Sequence, residues 1–131
     1  MKSNSFVLST TIPVTANKLY EAFLDSEIHS QFTGSLAKIE NKIGGKYTAW
    51  DGYISGVTTH LEKNNKIVQK WRTTDFDISD TDSLLEIEFV EENGKTKLTL
   101  KHSNLPEGTA EEYKQGWKDY YFKPLKEYFS K

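Results

Sequence analysis

The side chains best able to move a proton near neutral pH are three histidines, His29, His60 and His102. They are too scattered along the chain to form an H-x-x-x-H pair or a comparable metal signature. Cysteine is absent, which excludes disulfides, thiolate catalysis and cysteine metal sites. No nucleophile elbow, P-loop or G-x-G-x-x-G occurs, and Ile54-Ser55-Gly56 lacks the flanking glycine that an elbow needs. Glu86, Glu88, Glu91 and Glu92 read as a solvated strand face rather than as paired catalytic acids. The one proton-transfer arrangement left open joins His102 to a tyrosine, and no local motif ties a carboxylate or hydroxyl to it. No reaction is spelled out, so a non-enzymatic role is the expectation.

The aromatic residues carry more information. In Thr109–Phe129, Tyr113, Trp117, Tyr120 or Tyr121, Pro124 and Tyr128 recur every three to four residues, placing large rings along one helix face. Thr109 and Glu112 have capping-box spacing at its start. Pro124 removes the bond to the Tyr120 carbonyl, so a kink is expected there, with Leu125, Tyr128 and Phe129 beyond it either serving as a lid or simply packing.

A helix of this kind needs a broad apolar surface, and the preceding chain supplies strands. Ser5–Ile12 alternates and ends at Pro13, as a first strand does. Thr15 caps Ala16–Leu24, an amphipathic helix with Val14 and Leu19 spaced as a staple. Asp25–Phe32 forms a second short helix ending at Gly34. Leu36–Glu40 is a short strand, followed by hairpins at Asp51-Gly52 and Asn64-Asn65, and the clearest one at Asn93-Gly94. If Glu92 and Lys95 close that last turn, Phe89–Leu98, Ile87–Leu100 and Leu85–His102 pair on one face, and Glu86–Lys101 pairs on the other.

The two earlier hairpins are less regular. They place Tyr47, Ala49, Ile54, Gly56, Thr58, His60, Ile67, Gln69 and Trp71 on one face, with His60 opposite Gln69. Trp50, Tyr53, Val57, Leu61 and Val68 fall on the other. Neither face is plainly polar: either a bulge near Gly56 flips the register or the second face is also covered. The fold class is therefore α+β, a curved antiparallel sheet of about six to seven strands wrapped around a long C-terminal helix, with one or two short helices after strand 1.

At 131 residues the chain suits one domain, and its 36% hydrophobic and 27% charged content is ordinary for a globular protein. A net charge of −2 offers no basic field for nucleic acid or anionic lipid. No run approaches the about 18 apolar residues of a membrane span, and the N-terminus has no apolar signal core. A cytoplasmic protein is the expectation.

Gly44-Gly45-Lys46-Tyr47, Asp51–Gly56 and Ile67–Arg72 resemble the START-like, helix-grip superfamily, and within it the activator of heat-shock protein 90 ATPase family. Lys114–Phe122 is similar to that family's most recognisable stretch, and Leu100-Lys101-His102 to a strand end of bacterial members. The resemblance runs from about Phe6 to Phe129 and implies a single START-like domain over residues 1–131. It also implies a link to chaperones and stress response, and a cavity between helix and sheet that binds an apolar small molecule in some relatives. The eukaryotic co-chaperone has a separate N-terminal domain that carries most of the ATPase stimulation; 131 residues leave no room for it, so stimulation by this chain alone is not expected.

Two roles follow. In the first, a small hydrophobic ligand lies between helix and sheet without cofactor or metal. Its lining would be Tyr47, Ile54, Gln69, Trp71, Leu85, Ile87 and His102 from the sheet, with Tyr113, Trp117 and Tyr121 from the helix. Phe32 and Phe76 are further candidates for the walls. The alternative is a protein-interaction module, a chaperone partner or homodimer, using an outer patch of Trp50, Tyr53, Val57 and Leu61.

Overall fold

The computed structural model describes residues 4–130. β1 (Phe6–Ile12) leads to α1 (Ala16–Leu24) and α2 (Ser26–Thr33). Then come β2 (Lys38–Ile39), β3 (Lys46–Ala49), β4 (Ile54–Glu62), β5 (Lys66–Thr73), β6 (Ser83–Glu92) and β7 (Lys95–Ser103). The chain closes with α3 (Ala110–Trp117), a π-helical turn (Lys118–Phe122) and α4 (Lys123–Phe129). The strands form one curved antiparallel sheet in the order β1-β7-β6-β5-β4-β3-β2, the helix-grip arrangement expected of the sequence.

The caps of the early helices follow from residue type. Thr15 Oγ1 accepts the Lys18 N–H at 3.5 Å, and Asp25 Oδ1 accepts that of Ile28 at 2.9 Å, each filling an orphan donor at a helix start. Gly34 ends α2 at φ 76°, where a side chain would be strained. Leu19 is fully buried and Val14 nearly so.

The β6–β7 hairpin pairs as the sequence dictates, Glu92 with Lys95 through Leu85 with His102. Leu85, Ile87, Phe89, Leu98 and Leu100 all lie in the core. Outside, the ion pairs run diagonally: Lys66–Glu86 and Lys101–Glu88, each 3.2 Å, rather than directly between Glu86 and Lys101.

The β3–β4–β5 region departs from the expected pairing. The Asp51-Gly52 turn is four residues long, with Trp50, Asp51 and Gly52 all at positive φ, although the register (Ala49 with Ile54) is the expected one. A bulge between Thr58 and His60 shifts β4 against β5. On its turn side Glu62 pairs with Lys66 across Lys63, Asn64 and Asn65 rather than across a two-residue turn. His60 therefore faces Val68 on the surface, where it bonds Glu62 at 2.9 Å; on the other side of the bulge Thr58 faces Gln69 inside. The expected His60–Gln69 pair does not form. Beyond the bulge Leu61 opposes the buried Ile67 and packs on the core, so it leaves the outer face to which the sequence assigned it. One extra residue explains why neither face read as polar.

The C-terminal helix starts without the expected capping box. Thr109 already has helical backbone angles, and its hydroxyl donates to the Pro106 carbonyl at 2.7 Å instead. Pro124 is met by the π turn, in which the Lys123 N–H reaches back to the Lys118 carbonyl. The wider turn lets adjacent residues Tyr121 and Phe122 both point inward while Tyr120 stays 58% exposed. Leu125 is fully buried and Tyr128 Oη donates to Gln31 Oε1 of α2 at 2.9 Å, so the segment after Pro124 is tied to the body of the fold.

Candidate functional site

Between α3 and the β3–β4–β5 end of the sheet lies a cavity of about 350 Å³, open to solvent. Its floor and inner wall are Ile54, Trp71, Tyr113, Trp117 and Tyr121; its mouth is Trp50, Tyr53, Glu112, Gly116 and Tyr120. The helix contributes Tyr113, Gly116, Trp117 and Tyr120 because these positions share one face, and a side chain at Gly116 would meet the Tyr120 ring, 4.0 Å from its Cβ. The sheet contributes Trp71 from β5 and Ile54 from β4, pointing inward with period two.

The rings meet steeply. Trp71 and Tyr113 are 5.1 Å apart at 87°, and Trp50 and Tyr120 are 5.6 Å apart at 72°. Trp117 lies on Tyr121 at 4.4 Å and 38°. Tyr113 Oη bonds Thr73 Oγ1 at 2.7 Å, and Tyr53 Oη donates to Asp75 Oδ2 at 2.6 Å. Burial raises the pKa of both phenols, so both stay protonated.

Five of the residues expected to contact a ligand therefore meet here: Ile54, Trp71, Tyr113, Trp117 and Tyr121. Tyr47, Gln69, Leu85 and Ile87 lie deeper, around a void of about 20 Å³ that has room for little more than a water molecule. Gln69 Nε2 donates to Thr58 Oγ1 at 3.2 Å, and Tyr47 Oη to the Lys70 carbonyl at 2.8 Å. Phe32 and Phe76 pack behind the walls, Phe32 on Tyr121 and Phe76 on Trp71.

His102 lies behind Trp71 and Trp117, lining neither space. Its Nδ1 accepts the Trp117 indole N–H at 3.2 Å, so the ring proton sits on Nε2 and donates to Ser83 Oγ at 2.8 Å. The Ser83 hydroxyl in turn donates to the Trp71 carbonyl at 2.7 Å. Burial lowers the His102 pKa to about 3, and its ring nitrogens bond an indole and a hydroxyl rather than a carboxylate. This is the geometry of a neutral core histidine.

Sequence reasoning missed a second such ring. His29 Nδ1–H donates to the Phe23 carbonyl at 3.3 Å and Nε2 accepts from Tyr121 Oη at 2.9 Å, and burial lowers its pKa to about 4. Also missed at the mouth were Trp50 and Tyr53, assigned to an outer patch, together with Glu112, Gly116 and Tyr120. The helical spacing that selects Tyr113 and Trp117 also selects Gly116 and Tyr120. Trp50 and Tyr53 carried no such signal, because their direction depends on the left-handed turn at Trp50–Gly52. Among the described residues, no three metal-ligating side chains converge and no helix is long and apolar enough to cross a membrane.

Comparison with known proteins gives a consistent picture. The family model described as Activator of Hsp90 ATPase homolog 1-like protein matches residues 13–130. The human Activator of 90 kDa heat shock protein ATPase homolog 1 is 32% identical over 122 residues, covering 93% of this chain and 36% of the human protein. The Hsp90 co-chaperone AHA1 of Saccharomyces cerevisiae is 30% identical over 132 residues, covering 95% and 37%. The chain thus spans little over a third of these relatives. Among solved structures, an HSP90 activator from Plasmodium falciparum is 32% identical, with a TM-score of 0.87 over 94% of each chain. The Aha1 dimer from Colwellia psychrerythraea, 15% identical with a TM-score of 0.78, shares the fold. This chain belongs to the Activator of Hsp90 ATPase homolog 1-like family.

Proposed function

We propose that this domain binds an Hsp90-type chaperone as a co-chaperone module. The supporting observation is the likeness to the Plasmodium falciparum HSP90 activator, which extends over 94% of both chains. A relation along the whole chain favours a retained surface more than a shared scaffold alone does. Calorimetric titration of the protein into its cognate Hsp90, with ATP turnover measured in parallel, tests the reading. Saturable binding is expected, with or without a change in turnover; absence of heat and of any turnover change would overturn it.

A second reading has its own observation, the open aromatic cavity. A space of about 350 Å³ with a few polar tips suits a small hydrophobic molecule held between α3 and the sheet. Ile54, Trp71, Tyr113, Trp117 and Tyr121 would contact it. Amide-shift titration with lipids, sterols and flavonoid-like rings tests this: saturable shifts centred on those residues support it, and silence across the panel sinks it.

A further inference from the structure

We infer that the cavity selects an alkylated ammonium cation, a choline-type head group, over a neutral apolar molecule. This rests on the second reading above and narrows its ligand class. Seven of the ten lining residues are aromatic, a single aliphatic side chain (Ile54) is among them, and the only charged one is Glu112. A pocket for a neutral chain needs no such excess of rings over aliphatic side chains. Ring faces carry negative electrostatic potential, and several of them around one space form the cage that receives quaternary ammonium groups.

The geometry fits that use. The near-perpendicular pairs Trp71–Tyr113 and Trp50–Tyr120 set the lining rings at different orientations around the space, so that it is not walled by parallel planes. Asp75 accepts the Tyr53 hydroxyl proton at 2.6 Å, which enriches that ring's electrons. The charges of Asp75 and Glu112 both act on Tyr113, so the mouth is negative, and no lysine, arginine or histidine lines it.

Alkylation is the second part of the argument. The polar groups of the inner wall are already engaged: the Trp117 indole on His102, Tyr121 Oη on His29, Tyr113 Oη on Thr73. A bare ammonium would surrender hydration there without acceptors to replace it. A quaternary head group has no N–H to satisfy and meets ring faces directly.

The test compares choline with its neutral carbon isostere, 3,3-dimethylbutan-1-ol, by tryptophan fluorescence and amide shifts. Choline is expected to bind about tenfold tighter, the scale of a desolvated cation–π contact. Glu112→Gln is expected to weaken choline about threefold and leave the alcohol unchanged. Tyr120→Ala, at a position 58% exposed, is expected to weaken choline as well. A trimethyllysine peptide that displaces choline would assign the head group to a partner's side chain, and one that fails to displace it would assign it to a small molecule. Equal binding of choline and alcohol would leave the cavity reading intact and overturn the cation. Shifts away from Trp71, Trp117 and Tyr113, or no shifts with either probe or the neutral panel, would overturn both.

Discussion

The two halves of the sheet are built by different rules. The β6–β7 half is regular: a two-residue Asn93-Gly94 turn, an unbroken register, and apolar side chains that fill the space beneath. The β3–β4–β5 half holds three successive residues at positive φ, a bulge and the strand glycine Gly56, and the cavity opens on this half. The regular half supplies stability. The irregular half redirects rings toward the helix and leaves a space between them, so the departures from simple pairing are what make a site.

The largest expected effect tests the burial of the two inner histidines. His102, in the regular half, and His29, behind the cavity, are both neutral and buried, with pKa values lowered to about 3 and about 4 by burial. Well above pH 6.5 both rings are uncharged in the folded and unfolded chains alike, and their full contribution is present. As pH falls below that value the unfolded chain takes up protons that the folded one refuses. Stability then drops until the folded values are reached, by on the order of 5 kcal/mol between pH 7 and pH 4. Urea unfolding across this range reads the loss directly. Stability flat down to pH 4.5, or the assigned His29 and His102 imidazole resonances titrating near pH 6.5 in the native state, would show that these two rings are not shielded from solvent.

Gly56 offers the next test, placed in the irregular half. It stands between Tyr47 on β3 and Trp71 on β5, and the Tyr47 hydroxyl crosses it to reach the Lys70 carbonyl. A Cβ there would lie 1.9 Å from that carbonyl oxygen and 2.7 Å from the hydroxyl. Backbone cannot yield as a side-chain tip can, so Gly56→Ala should lose about 3 kcal/mol, at the upper end of overpacking. Thermal unfolding measures it. A loss below about 1 kcal/mol would mean that β4 can slide and that the cavity floor is soft.

The same contrast decides how much was legible in the sequence. α1, α2 and the whole β6–β7 register follow from caps, periodicity and one Asn-Gly turn, all local signals. Trp71, Tyr113 and Trp117 were legible as cavity walls because period two and period 3.6 point them at each other. His60 and Leu61 were misplaced because the turn after β4 takes in Lys63 as well as Asn64-Asn65 and a bulge compensates at Thr58–His60, and both are set by cross-strand packing, which a single strand does not carry. Trp50 and Tyr53 were misplaced because an Asp-Gly pair does not reveal that the preceding tryptophan also turns left-handed. The capping box failed for a backbone reason: Thr109 already has helical angles rather than the extended ones of a cap, and its hydroxyl is turned to donate to the Pro106 carbonyl.

The smallest effect sharpens the comparison by repeating the substitution in the regular half. Gly94 lies at φ 76°, with nothing within 4 Å of where a Cβ would stand. Gly94→Ala therefore meets no clash and suffers only left-handed backbone strain, about 1 kcal/mol. Because neither Asn93 nor Gly94 lines the cavity, ligand binding there should not change. The ratio of the two alanine effects is the informative quantity, since one glycine serves a turn and the other serves a close approach of side chain to backbone. Paired urea melts of Gly56→Ala and Gly94→Ala give that ratio. Equal losses would mean that Gly56, too, is present for its backbone freedom, and that the crowding of Tyr47 and Trp71 around it does not shape the cavity.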